Sequence, residues 1–252
     1  DVMKLRKDLS ITSFLRKVKL PWVHLDTYGE AVKTFWACET QNAETNSRLR
    51  RFLPGGLVSP GDEALMSFVD MVRKEIANVL PRVPQLLTPR FSGGATLSDK
   101  GKLITLPDKL TSRPTIYPQT VDLLENSFWS TAWGSLHTNL VPRVVRCNHF
   151  FTVPKDTEKD RGCCKESSIN VTLQLDAARS LRVALRRLGI DLESNQYLHA
   201  QLAREASVDG FLATIDLSNA SDTLCRVLVE LLLPRQWFEL LSSLRATHTR
   251  IN

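Results

Sequence analysis

Apolar residues recur at three-and-four spacing through Leu65, Phe68, Val69, Val72, Ile76, Val79 and Leu80, which predicts a helix opened by Asp62 and ended before Pro81. The period returns between Ile169 and Leu188. There Val171, Leu175, Ala178, Leu181, Leu185 and Leu188 form a stripe, Arg179, Arg182 and Arg186 share a separate face, and Gly189 supplies the stop. Ser194 caps a further helix through Leu198, Leu202 and Ala206, closed by a turn at Val208-Asp209-Gly210. The run FLATID then reads as a buried strand ending at Asp216. SNASD leads into a helix with Leu224, Val227, Leu228, Leu231 and Leu232, closed by Pro234, which itself starts a last helix through Trp237, Leu240, Leu241 and Leu244.

The first half is less regular. Leu15, Val18, Leu20, Val32, Phe35 and Trp36 predict two or three short helices over 1–53, interrupted by Pro21 and stopped by Pro54-Gly55-Gly56. Six prolines and three glycines from Pro81 to Pro118 predict a long loop region and an internal boundary. Phe128, Trp129 and Trp133 read as one helix, followed by a basic segment and the strand HFFTVPK. No internal repeat is evident.

Composition adds that the chain is globular: 252 residues, 42% hydrophobic and 24% charged. The net charge of +6 is concentrated, because Arg143 to Arg187 holds ten basic residues against five acidic ones. Five cysteines without Cys-x-x-Cys spacing fit a reducing cytoplasm, and five scattered histidines argue against a structural zinc site. No apolar run approaches the roughly 18 residues of a membrane span. The start, DVMKLRKDLS, has no signal-peptide core and does not begin with Met, so a piece of a longer chain is expected. Asn170-Val171-Thr172 matches a glycosylation acceptor by accident.

Three units carry candidate chemistry. In ATIDLSNASD (213–222), Asp216 at a strand end suits Mg²⁺-dependent phosphoryl or nucleotidyl transfer, against the plainer reading of a turn residue, while Asp222 at a helix start reads as an N-cap. In TVPKDTEKDRGCCK, Lys155, Lys159, Arg161 and Lys165 come off a strand into a flexible polar stretch suited to triphosphate capture, unless Asp156, Glu158 and Asp160 already balance them. The face of Arg179, Arg182 and Arg186, with Arg187 beside it, suits either RNA backbone or plain solvent. Trp129 and Trp133 read as core before base-stacking residues. FSGGATLSDKGK fails as a phosphate loop, since Leu103 follows Gly101-Lys102.

Taken in order, FFTVPKDTEKDR, the spacing of Glu166, Asn170 and Gln174, LRRLGIDLESNQ, ATIDLSNASD and ELLLPRQWFELLSSLR resemble the levivirus RNA-directed RNA polymerase, the replicase β-subunit of RNA bacteriophages. The resemblance spans about 149–245. It implies an α+β right-hand polymerase: an N-terminal fingers region over 1–148, fingers with the basic nucleotide-binding motif over 149–210, and over 211–252 the first strand and helix of the palm. It further implies that Lys155, Lys159 and Arg161 hold incoming triphosphate, that Asp216 with the Leu217 carbonyl binds the two catalytic Mg²⁺ ions, and that Asp222 recognises the ribose 2′-hydroxyl. RNA template and ribonucleoside triphosphates are the implied ligands. Host elongation factors Tu and Ts with a ribosomal protein are the implied partners, in the cytoplasm of a bacterial host.

Where the family typically reads Glu-Pro-Gly, this chain has Glu166-Ser167-Ser168. No Gly-Asp-Asp occurs, and Gly61-Asp62-Glu63 is no substitute, so the chain is expected to be catalytically incomplete. Two rivals stand beside this reading: a reverse transcriptase, disfavoured by the small or polar Ser218, Asn219 and Asp222 where a bulky gate is normal, and a non-catalytic RNA-binding module built on 143–187.

Overall fold

The computed structural model describes residues 2–18, 24–85, 87–137 and 141–251. Leu20 and Pro21 lie outside the described residues. Helix α1 (Val2–Leu15) buries no side chain. Helix α2 (Thr27–Leu49) starts where Asp26 accepts the Gly29 N–H at 2.8 Å, and it runs 23 residues where short helices were expected. No Gly or Pro interrupts it after Gly29. A 3₁₀ turn, Arg50–Phe52, ends this stretch before the Pro-Gly-Gly stop. Helix α3 (Glu63–Val79) lies where predicted; its opening Asp62 pairs with Arg51 at 3.2 Å in place of capping through its side chain.

The expected loop region at 81–118 is instead anchored to the core at several points. Thr96, Leu97, Asp99, Lys109, Thr115, Ile116 and Tyr117 are all buried, and an irregular backbone at that depth must find its hydrogen bonds elsewhere in the fold. The Thr88 N–H reaches Asp176 Oδ2 at 3.0 Å, Arg90 N–H the Thr172 carbonyl at 3.1 Å, and Leu97 N–H the Glu166 carbonyl at 2.9 Å. Lys109, on the short helix α4 (Leu106–Thr111), donates to the carbonyls of Ser92 and Gly94, while Asp99 accepts from Thr96 and Ser112. Strand β1 (Thr115–Ile116) pairs in parallel with β2 (Arg143–Val144). Between them Phe128 and Trp133 fall on separate elements, a π-helical turn at Glu125–Trp129 and helix α5 (Ala132–Ser135), in place of one helix.

Strand β3 (Asn148–Pro154) pairs antiparallel with β4 (Asp160–Lys165) and in parallel with β5 (Thr249–Arg250), in the order β4-β3-β5. Helices α6 (Ser168–Arg187) and α9 (Arg235–Leu244) match their predicted spans within a residue or two, and α7 (Asn195–Asp209) runs three residues past Ala206 into the predicted turn, with Gly189 and Gly210 at φ 78° and 69° as stops. Helix α8 (Arg226–Leu232) begins later than expected, at Cys225. The main core joins Leu87, Ile116, Phe128, Trp133, Ile169, Leu173, Trp237 and Leu244, so segments far apart in sequence share one interior.

Two apolar patterns fail. The buried face of α6 is Ile169, Asn170, Thr172, Leu173, Asp176, Ala177 and Ala184, rotated from the predicted stripe, because its polar members bond the loops laid over it. Residues 211–217 form no buried strand: Phe211, Ile215 and Leu217 are exposed, and among the described residues no strand lies alongside to complete a ladder.

Asn170 is entirely buried, so it is no glycosylation acceptor. Its Oδ1 accepts from Tyr117 N–H and Ser167 Oγ, and its Nδ2 donates to Thr120 Oγ1 and the Leu244 carbonyl, at 2.7–3.0 Å. Asn170→Ala leaves several of these groups unsatisfied and is expected to lower stability by on the order of 3 kcal/mol. Urea unfolding followed by tryptophan fluorescence checks this.

Candidate functional site

The β3–β4 hairpin positions the basic motif. Pro154 opposes Asp160, Val153 opposes Arg161 and His149 opposes Lys165, so Arg161 and Lys165 stand on a paired strand where a flexible stretch was expected. Lys155 and Lys159 flank the connecting loop and are exposed. That loop is built, not slack. Asp156 Oδ1 accepts the N–H groups of Glu158 and Lys159 at 3.1 and 2.9 Å, and chiefly the Lys159 bond holds its carboxyl below the usual range. Thr157 docks on the end of α1, its N–H and Oγ1 both bonded to the Arg16 carbonyl, at 2.8 and 2.6 Å. Behind the hairpin, Phe150 packs on Phe35 and Tyr28 of α2 at 5.2 and 6.4 Å between ring centroids. A Cβ at Gly162 would stand 2.8 Å from the Phe150 ring, which is why glycine sits in β4 there.

The carboxylate motif is arranged differently from its sequence reading. Residues 218–223 form turns in which Asn219 adopts φ 53°, a left-handed conformation that asparagine tolerates. The Asp222 N–H bonds the Asn219 carbonyl at 3.0 Å. Asp222 does not cap α8: the capping position belongs to Cys225, and the turn intervenes. Two residues that sequence reasoning missed hold this segment. Asn42 Nδ2 donates to the Asp222 carbonyl and Asn46 Oδ1 accepts the Val227 N–H, both at 2.8 Å, one helical turn apart on α2. An Asn pair at four-residue spacing inside a helix was the available signal.

Asp222 thereby stands beside α2. Burial, then Asp222 and Glu39, push the Cys38 thiol up; burial, then Glu166, with Asp222 a smaller contributor, do the same to Cys164. Asp216 and Leu217 are exposed, and among the described residues no group of three His, Cys, Asp or Glu side chains is placed to hold a metal. The five cysteines are free thiols.

Arg179, Arg182 and Arg186 are brought together on one side of an open cleft of about 430 Å³, closed opposite by Arg90, Phe91 and Ser92. Arg90, again unforeseen, bonds Asp176 at 3.2 Å, and Arg179 approaches the same oxygen at 3.9 Å. Arg186 pairs with Glu193 at 2.9 Å and Asp191 at 3.4 Å. Arg182 is exposed at the cleft wall. Trp133 is core, edge-on to Phe128 and Phe91 at about 5 Å. Glu166, Asn170 and Gln174 act structurally: Glu166 accepts from Tyr117 and Asn148, both at 2.7 Å, and Gln174 donates to the Leu244 carbonyl at 2.8 Å.

The profile of the family described as RNA replicase, beta-chain, matches residues 25–252. The chain is 34% identical over 240 residues, 90% of its length, to the RNA-directed RNA polymerase subunit beta of Escherichia virus Qbeta, and 34% over 230 residues, 88% of its length, to that of Enterobacteria phage SP. It spans 38% of the length of each of these two relatives. Over 110 residues, 44% of this chain and 20% of the relative, it is 44% identical to the RNA-directed RNA polymerase beta chain of Enterobacteria phage GA.

Asn46→Ala removes the acceptor of the Val227 N–H. Faster amide exchange across 222–228 is expected, with a stability loss of about 1 kcal/mol and unchanged exchange in α6. Hydrogen–deuterium exchange read by mass spectrometry checks it.

Proposed function

The chain belongs to the RNA replicase, beta-chain, family, and on that premise we propose that it supplies the fingers and the first part of the palm of a right-hand RNA-directed RNA polymerase. One observation carries the reading within the structure: the Asp222-bearing turn is bonded to Asn42 of α2, the helix that also backs the hairpin displaying Lys155, Lys159 and Arg161. Cations on a rigid hairpin, with a carboxylate turn fastened to the same supporting helix, suit the capture of an incoming ribonucleoside triphosphate.

In this reading Lys155, Lys159 and Arg161 neutralise the triphosphate oxygens, and Asp222 accepts a hydrogen bond from the ribose 2′-hydroxyl. The Asp216 carboxylate and the Leu217 carbonyl are hard oxygen donors exposed at one place, which fits Mg²⁺. When bound, paired Mg²⁺ ions stabilise the attacking 3′-hydroxyl and the pyrophosphate leaving group during nucleotidyl transfer. Arg179, Arg182 and Arg186, with Arg90, line a cleft suited to RNA phosphates. The same cleft favours a second reading, RNA binding without catalysis. The small and polar Ser218, Asn219 and Asp222 favour ribonucleotides over the substrates of a reverse transcriptase. Host elongation factors Tu and Ts, a ribosomal protein and the bacterial cytoplasm belong to this proposal through the family alone. Among the described residues no helix is long and apolar enough to cross a membrane.

In a complete replicase carrying this sequence, Asp216→Asn is expected to reduce primer extension to background with RNA binding retained. Asp222→Ala is expected to weaken discrimination against deoxyribonucleotides on the order of tenfold, about 1.4 kcal/mol. The 252-residue chain alone, which has one of the palm carboxylates and no Gly-Asp-Asp, is expected to extend no primed RNA with Mg²⁺ present. Extension by the chain alone overturns its catalytic incompleteness, and undiminished synthesis by Asp216→Asn removes Asp216 from its role.

A further inference from the structure

The sheet β4-β3-β5 has a second feature, at the end away from the hairpin loop. His149 is the register partner of Lys165 on β4 and of Arg250 on β5, which puts the three side chains in one row on one face, about 10 Å across. Successive residues point to opposite faces, so Asn148 and Phe150 are directed toward the protein, where Phe150 meets α2. The row therefore lies on the outer face, together with Phe151 and, two rungs along β4 from Lys165, Arg161. The Lys165 ammonium stands 5.2 Å over the Phe151 ring, a cation–π contact that holds it to this face.

Four cations act on His149. Burial first, then the positive charges of Arg250, Lys100, Lys165 and Arg143, hold its imidazole below its usual titration range, so it is neutral at pH 7 within a ring of four cations. The carboxylate next in the chain, Glu166, is turned inward to Tyr117 and Asn148. A row of cations on the outer face suits a polyanion laid over it. The row and Arg161 share one face some four residues apart along β4, roughly 13 Å, so a strand with regularly spaced phosphates reaches both.

We propose that the outer face of this sheet is a binding track for the backbone of single-stranded RNA, with phosphates seated on the row of Lys165, His149 and Arg250 and the strand running toward Arg161. The inference rests on the reading of the chain as part of an RNA polymerase. It adds a binding surface separate from the loop lysines and from the cleft on α6.

The test uses the 252-residue chain and a fluorescein-labelled single-stranded RNA 12-mer, with affinity measured from 50 to 300 mM KCl. The double variant Lys165→Gln/Arg250→Gln is expected to bind more weakly, with a log–log salt slope shallower by about 1.4, that is about 0.7 for each phosphate left without its cation. Circular dichroism and thermal midpoints check that it is folded. In a second measurement, the His149 imidazole titration, followed by NMR, is expected to move to higher pH when RNA is added, because phosphates offset the surrounding cations. Parental affinity and slope in the double variant overturn the track, as does an unmoved His149 titration at saturating RNA. If Arg182→Ala weakens binding while the double variant does not, the track fails alone and the replicase reading stands. If the parent chain binds no RNA at all, both fall.

Discussion

The polar clamp at the start of α6 is the interaction on which the other parts depend. Asn170 sits at zero exposure with both ends of its amide satisfied, and its four bonds reach three separate segments: 115–120, the first turn of α6 and the end of α9. Ser167 and Ser168 add bonds to Thr115, so the pair that replaces Pro-Gly in the family pattern works here as a hydroxyl staple. A buried amide without these partners would be costly; with them it fixes one register among segments that hydrophobic contact alone would let slide. Glu166, one step earlier, continues the network to Asn148 on β3, and burial with its hydrogen bond to Glu166 pushes the Tyr117 phenol far up. The hairpin is thus tied to the core through its base.

The five acidic residues between Arg143 and Arg187 do not cancel the basic ones around them in space. Asp156 holds loop amides, Asp160 accepts from Thr152, Glu166 is turned inward, and Asp176 serves Thr88, Arg90 and Arg179. Only Glu158 stands on the surface near the loop lysines without such a hydrogen bond to its carboxylate among those described. Structural use of the carboxylates therefore leaves positive surfaces at the hairpin tip, on the outer sheet face and along α6. The charge surplus of the sequence becomes a field with direction.

The two halves of the candidate site differ in how firmly they are held. Lys155, Lys159 and Arg161 ride on a ladder backed by α2, with Thr157 pinned to the end of α1. The carboxylate turn is fastened at Asp222 and Val227 by Asn42 and Asn46, whereas the run leading to Asp216 is exposed and forms no strand. A strand acquires its rigidity from neighbours in a sheet, and the described residues place none beside 211–217.

Periodicity and punctuation in the sequence determined α3, α6, α7, α9 and β3, because helix faces, proline stops and left-handed glycines act over a few residues and need no distant partner. The order of its motifs likewise pointed to the family. Tertiary structure alone decided the rest. It tied 81–118 to the core at several points by supplying acceptors and donors from α6, turned α6 to bury Thr172 and Asp176 in place of Leu175 and Leu185, and moved Asp222 off the helix start. It also brought Arg90 to the α6 arginines and Arg250 to Lys165 across His149. Each outcome depends on a polar or charged group meeting a partner many residues away, and the worth of a buried polar group is set by that partner, which local pattern does not carry.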